Sequence, residues 1–221
     1  TVLSNNKLYV CKSRGKFRNL NITPLVGDIV EFDEINNYIL DIKPRKNELL
    51  RPPVSNIDQA FLITSLKTPD FSLNLLDKLI VLMELHKVTP IICITKSDLV
   101  DSNEMSKINE ILKYYRNIGY TVVFNYELDK IEDMLSNKTS VFTGQTGAGK
   151  STLLNKLNPN WNLETGEVSI ALGRGRHTTR VVELFEFGDG KVLDTPGFSA
   201  LDLYEYSDAD IRDAFIEFRN Y

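Results

Sequence analysis

The stretch of the chain most committed to chemistry is Gly144-Gln145-Thr146-Gly147-Ala148-Gly149-Lys150-Ser151, which fits the pattern G-x-x-x-x-G-K-[ST]. Glycines at these places let backbone N–H groups curl around a phosphate. Lys150 is expected to reach the β- and γ-oxygens and the Ser151 hydroxyl to ligate Mg²⁺, while a helix start adds the positive end of its dipole. Thr152 continues the run along the same phosphates. A glycine-rich turn matches such a pattern by chance on occasion. Here the pattern lies between a strand-like run ending at Thr143 and a helical run opening at Lys150. The chemistry expected is binding of a nucleoside triphosphate.

Two further motifs narrow the nucleotide. Asp194-Thr195-Pro196-Gly197 is D-x-x-G after a strand, the pattern that sets an Asp near Mg²⁺ and a Gly N–H on the γ-phosphate. Thr95-Lys96-Ser97-Asp98 follows the apolar run 91–94 and resembles the guanine-reading N-K-x-D. The Asp98 carboxylate would accept from guanine N1–H and the exocyclic amine, which adenine does not offer in that arrangement. Lys96 would pack over the base and the loop. Each four-residue match is weak alone. Together, each at the C-terminal end of a strand, they point to GTP, because ligands of open α/β sheets bind there.

The elements that must hold these residues follow from the hydrophobic pattern. Strands are predicted at 60–64, 90–95, 120–124 and 139–143, and helices at 73–86, 104–118, 127–135 and 150–157. Runs 181–187 and 191–194 flank Gly188-Asp189-Gly190 as a hairpin, and a last helix opens at Ser207 with Asp210 three residues on. Strands alternating with helices predict a parallel sheet covered on both faces, an α/β fold. Trp161 and Leu163, after the helix at 150–157, are expected as packing or as a hinge.

Asp98 precedes Lys150 by about fifty residues, whereas an ordinary GTPase has its phosphate loop first and its guanine motif late. The order here is that of a circular permutation, which a fold tolerates when its original ends lie close together.

Ahead of this domain, 8–11, 26–32 and 38–42 read as short strands separated by turns, with no helical period. A small barrel of the OB or SH3-like kind accounts for them. Pro44-Arg45-Lys46-Asn47 and Arg51-Pro52-Pro53 read as a stiff basic connector. The domains expected are therefore 1–45, a linker over 46–55, 56–204, and the start of a C-terminal helical segment over 205–221.

Composition limits the classes that remain. The chain has 221 residues, 42% of them apolar, with a net charge of −4, and no apolar run nears the roughly 18 residues of a membrane span. Its opening residues Thr1-Val2-Leu3-Ser4 lack the layout of a secretion signal. Cys11 and Cys93 sit in apolar runs and are expected buried and reduced, which predicts a cytoplasmic location. The first 55 residues carry nine Lys/Arg against six Asp/Glu, a net +3, which leaves −7 on the rest. The basic turn Lys12, Arg14, Lys16 and Arg18, with Phe17 inside it, suits either RNA phosphates and a stacked base or a solvated edge.

The motif order, together with Arg45-Lys46-Asn47-Glu48-Leu49-Leu50-Arg51-Pro52-Pro53, Asn56-Ile57-Asp58-Gln59 and Gly173-Arg174-Gly175-Arg176-His177-Thr178-Thr179, resembles the small-subunit-dependent ribosomal GTPases of the RsgA/YjeQ family over nearly the whole chain. The resemblance implies an OB-fold that binds RNA, a permuted GTPase domain and a C-terminal zinc-binding domain. It implies action in late maturation of the 30S subunit, with binding to 16S rRNA and stimulation of hydrolysis by the subunit. GTP and GDP are the implied substrate and product, Mg²⁺ the implied cofactor, and a monomer the expected state. The zinc ligands are not expected within this chain. Thr95 stands where the family pattern has Asn, and Asn125-Tyr126 where a Ser-Ala is usual.

Completion of hydrolysis is expected in the loop 173–180. Thr179, with Thr178 as the alternative, resembles the switch threonine on Mg²⁺ and the attacking water. Phe198, directly after D-x-x-G, cannot orient water, so His177 is expected in that role. Two other functions stay open at this level: a GTP-gated RNA-binding module whose hydrolysis is incidental, and an adenine-using kinase or ATPase.

Overall fold

The computed structural model describes residues 1–5, 7–13, 15, 17, 22–50, 52–164, 182–195, 203 and 206–219. The chain divides into two compact units, Thr1–Ile57 and Asp58–Tyr221.

The first unit is all-β among its described elements. Strands β1 (Val2–Ser4) and β2 (Lys7–Tyr9) form a hairpin. β3 (Lys12–Ser13), β4 (Val30–Asp33) and β5 (Tyr38–Ile42) make a three-stranded sheet with β5 in the middle, parallel to β3 and antiparallel to β4. Tyr9, Phe17, Ile39, Leu49, Val54 and Ile57 are its buried apolar residues, and the rings of Tyr9 and Phe32 meet at 4.9 Å.

The stretch 46–55, expected as a linker, carries a second hairpin of β6 (Glu48–Leu50) and β7 (Pro53–Ser55). Val26 to Ile29, expected as the first half of a strand, is not strand: Val26 bridges to Val54, and the Ile29 carbonyl accepts from the Lys43 amide at 2.9 Å. The reason is Gly27, at φ +100, where any Cβ would collide with the Ser55 carbonyl. Cys11, expected to be buried, is only half-buried, whereas Cys93 is fully enclosed and its burial pushes the thiol up to about 12.

One polar hub closes this hairpin onto the sheet. Arg45 Nε donates to Asp28 Oδ1 at 2.8 Å and Nη2 to Oδ2 at 2.9 Å. The same carboxylate accepts from the Ser55 hydroxyl at 2.7 Å and the Leu25 amide at 2.7 Å. Nearby, the Asn47 side chain exchanges two 2.8 Å bonds with the backbone of Ile57. The supposed connector is thus folded because its polar groups are consumed locally.

The second unit is a six-stranded sheet in the order β10-β9-β8-β11-β13-β12. Its strands are β8 (Gln59–Ser65), β9 (Thr89–Thr95), β10 (Thr121–Phe124), β11 (Thr139–Gly144), β12 (Glu183–Phe187) and β13 (Gly190–Asp194). All neighbours are parallel except β12, which pairs antiparallel with β13 through the two-residue turn Gly188-Asp189. The helices are α1 (Leu73–Leu85), α2 (Ser102–Asn117), α3 (Leu128–Leu135), α4 (Lys150–Leu157) and α5 (Asp208–Ala214).

Runs such as Ala60-Phe61-Leu62-Ile63 are apolar throughout because both sheet faces are covered. Phe61, Ile63, Cys93, Val123 and Phe142 share one cluster with Ile131, Leu135, Leu153, Leu154 and Leu157 of α3 and α4. Phe61 and Phe142 stack at 4.6 Å. Trp161 extends this layer by stacking on Phe185 at 4.8 Å, so packing is its role. The alternate residues face the other layer, where α1 packs on β8 and β9, and α2 on β10. Asp101 and Glu104 close a capping box at the start of α2, and Ser207 and Asp210 do so for α5. Among the described residues no helix is long and apolar enough to cross a membrane.

The Asp28 hub sets an acid limit on the first unit. Burial raises the Asp28 carboxyl, but the hydrogen bonds from Arg45, the Leu25 amide and Ser55 outweigh it and hold the group below its usual range. A depressed carboxyl contributes stability that is complete above its unfolded value, near pH 4, and is lost as pH falls further. Asp28→Asn is expected to flatten that acid dependence. It should also cost about 2 kcal/mol at pH 7, since Arg45, still paired with Glu48, would lose its charge-assisted bonds to a carboxylate only 3% exposed. Urea unfolding of both proteins between pH 2.5 and 7 measures both effects.

Candidate functional site

The parallel strands all end at one edge, so the loops after β8, β9, β10, β11 and β13 are neighbours. Ile63 pairs with Gly144, Ser65 with Thr95, Ile94 with Phe124, and Phe142 with Asp194. The chain leaves β8 toward β9 and leaves β11 toward β13. These two adjacent strands therefore diverge, and a crevice opens at their ends.

Gly144 closes β11 at this crevice, and a Cβ there would run into the Ile63 carbonyl oxygen. Gly147 at φ +81 and Gly149 at φ +95 then turn the chain into α4, conformations that side chains resist. No side chain caps α4. Its first amides and its dipole face the loop mouth. Lys150 and Ser151 stand on the first turn, half-buried, and Thr152 beside them is exposed.

Across the mouth, the Lys150 ammonium pairs with the Asp194 carboxylate at the end of β13. Thr195 steadies that end by donating its hydroxyl to the Phe142 carbonyl at 2.8 Å. Ser151, next to Lys150 on the first turn of α4, and Asp194, paired with Lys150, carry oxygens of the kind that Mg²⁺ takes.

The stretch from Thr95 to Asp98 meets the glycine-rich loop directly. Thr95 is fully buried, and its Oγ1 donates to the Ala148 carbonyl at 2.6 Å. Its Cβ also lies 3.7 Å from where a Cβ on Gly149 would stand. Lys96 follows in the left-handed region at φ +57, and its Nζ donates to the Thr68 carbonyl. Ser97–Leu99 forms one 3₁₀ turn with Asp98 exposed at its centre. The next loop is tied alongside, with the Asn125 amide donating to the Ile94 carbonyl at 2.9 Å and the Phe124 amide to Glu127 at 2.7 Å. Tyr126 stands exposed there, stacked on Phe124 at 5.3 Å.

Thr95, Lys96, Ser97, Asp98, the loop Gly144 to Thr152 and Asp194 are therefore gathered at one edge. His177, Thr179 and Gly197 lie outside the described residues, as do Arg14, Lys16 and Arg18. Lys12 is exposed, but Phe17 is 3% exposed and turned into the first unit's core, so its ring is not available to stack on a base. Its apolar character, read as a stacking platform, serves packing instead.

The loop after β8 was not legible as part of the site. Leu66 donates its amide to the Thr95 carbonyl at 3.2 Å, and Pro69 approaches Gly147, its Cδ 3.9 Å from a Cβ built there. Its position after a parallel strand was the available signal.

The family model described as RsgA GTPase matches residues 42–204, and the one described as RsgA N-terminal domain matches residues 1–38. "Small ribosomal subunit biogenesis GTPase RsgA 2" of Oceanobacillus iheyensis is 49% identical over 225 residues, covering 98% of this chain and 77% of its own length. "Small ribosomal subunit biogenesis GTPase RsgA" of Streptococcus agalactiae is 51% identical over 222 residues, covering 99% of this chain and 75% of its own. Two solved structures are similar. YloQ, titled a circularly permuted GTPase, has a TM-score of 0.73 at 40% identity over 95% of this chain and 70% of its own. YjeQ from Thermotoga maritima has a TM-score of 0.78 at 32% identity, over 97% and 76%.

The Thr95–Ala148 bond yields a direct test. Thr95→Val keeps the shape and removes the donor, leaving a buried carbonyl unpaired. Guanine-nucleotide affinity is expected to fall about tenfold, the equivalent of roughly 1.4 kcal/mol. Thr95→Ser, which keeps the donor, should stay within about threefold of wild type on the same scale. Titration calorimetry with GDP distinguishes the two variants.

Proposed function

The chain belongs to the RsgA family of circularly permuted GTPases, a family of GTP-hydrolysing enzymes of ribosome biogenesis, and from that membership we propose that it acts in late maturation of the 30S subunit, binding the subunit and 16S rRNA and hydrolysing GTP faster when bound. The observation that carries the reading is the buried bond from Thr95 to Ala148, which unites base-reading and phosphate-holding stretches far apart in the chain. We place the working protein in the cytoplasm with its subunit, as a monomer.

In this reading Asp98 accepts from the guanine edge, and Lys96 flanks the base. The amides of 144–149 and the Lys150 ammonium hold the β- and γ-phosphates, with Ser151 and Thr152 at the first turn of α4. Ser151, Asp194 and Thr179 would hold Mg²⁺, which would supply positive charge against that building on the phosphate oxygens. Gly197 donates its amide to the γ-phosphate. His177 orients the attacking water, because Phe198 at the position after D-x-x-G has no polar group.

The RNA contact is assigned to charge alone: Lys12, Arg14, Lys16 and Arg18 supply cations to phosphates, and Phe17 is left out of it.

The decisive measurement is GTP turnover with and without purified 30S subunits. Stimulation of at least about tenfold is expected, in the range by which a completed transition-state site accelerates phosphoryl transfer. His177→Ala should retain GTP binding and lose that stimulation. Equal rates with and without subunits would overturn the subunit-dependent reading, and an unchanged stimulated rate in His177→Ala would remove His177 from the mechanism. In a parallel assay, Arg14→Glu or Lys16→Glu should weaken 30S binding severalfold and reduce its salt dependence.

A further inference from the structure

The loop joining β8 to α1 holds two features that its sequence does not explain. Thr68 sits at φ +48, in the left-handed region. A β-branched residue adopts that region only under constraint. Lys96, also left-handed at φ +57, donates its ammonium to the carbonyl of that same Thr68. The two strained residues are therefore bonded to each other, one in each of two loops at the nucleotide edge.

The Thr68 loop is fastened on its other sides as well. Leu66 donates to Thr95 at 3.2 Å, Lys67 Nζ pairs with Glu104 at 2.9 Å, and Pro69 stands against Gly147. One short loop thus touches the base loop, the start of α2 and the phosphate loop. With its ammonium fixed on Thr68, the Lys96 stem must span from one loop to the other. A stem held at both ends loses its rotamer freedom before a ligand arrives.

We propose that Thr68 is a positioning residue of the nucleotide site, whose carbonyl holds Lys96 so that its methylene stem forms a preset apolar wall for the purine face. The inference rests on the reading of this edge as a guanine-nucleotide site. It assigns to the β8–α1 loop a part in nucleotide retention.

The test is a double-mutant cycle read as the dissociation rate of GDP, with fluorescent GDP chased by unlabelled GDP. Thr68→Gly keeps the carbonyl but adds backbone freedom that lets it drift from Lys96, and dissociation should quicken about threefold to fivefold, the size of glycine's extra conformational freedom. Asparagine tolerates the left-handed region, so Thr68→Asn should stay within about twofold of wild type. Added to Lys96→Met, which has no ammonium to hold, Thr68→Gly should add less than about twofold, because coupled residues are non-additive. Melting curves report whether each variant is folded. Independent, multiplying effects of the two substitutions, or no effect of Thr68→Gly, would overturn the proposal. Failure of the wild-type protein to bind guanine nucleotides would instead overturn the reading on which it rests.

Discussion

One hydroxyl ties together two loops at the C-terminal edge of the parallel sheet. Thr95 is enclosed at the end of β9, and its buried O–H is satisfied by the Ala148 carbonyl of the glycine-rich loop. A buried polar group left without a partner costs about 1–3 kcal/mol. The two loops are therefore held in register whatever their separation along the chain. Order in the sequence becomes irrelevant to the site once such a joint and the parallel sheet fix order in space.

The same logic explains why threonine serves where an amide side chain is usual. A short side chain can reach only one acceptor here, and it reaches the phosphate loop. Asp98 then stands exposed on a 3₁₀ turn that the chain enters through left-handed Lys96. The opposite side of the crevice is set by Lys150 and Asp194, which face each other from α4 and β13. The sheet underneath is rigid because its strands are buried on both faces and stack aromatic on aromatic at Phe61 and Phe142.

Much of this was legible in the residues themselves. The phosphate loop needs glycine where the backbone turns left-handed, and Gly147 and Gly149 take those conformations. The helical spacing of Leu76, Leu79, Ile80 and Met83 faces them into the core as their period demands. What escaped reading was decided by distant partners. Pro52-Pro53 and three basic residues looked like a linker, yet Asp28, more than fifteen residues upstream, captures Arg45 and folds the segment into a hairpin. Phe17 within a basic turn looked exposed, and packing took it inside. Thr68 carries no motif at all. Its significance lies in a backbone angle and a carbonyl, neither of which a side-chain alphabet records.

The close approach of β11 to β8 has a lopsided consequence for drift in this lineage. At Ile63 the contact is made chiefly by a main-chain oxygen, so exchange between apolar residues of like volume leaves it undisturbed. At Gly144 even a single methyl group is forbidden by the same contact. Homologous chains should therefore vary at one partner of this pair and stand still at the other, although both touch the same atoms.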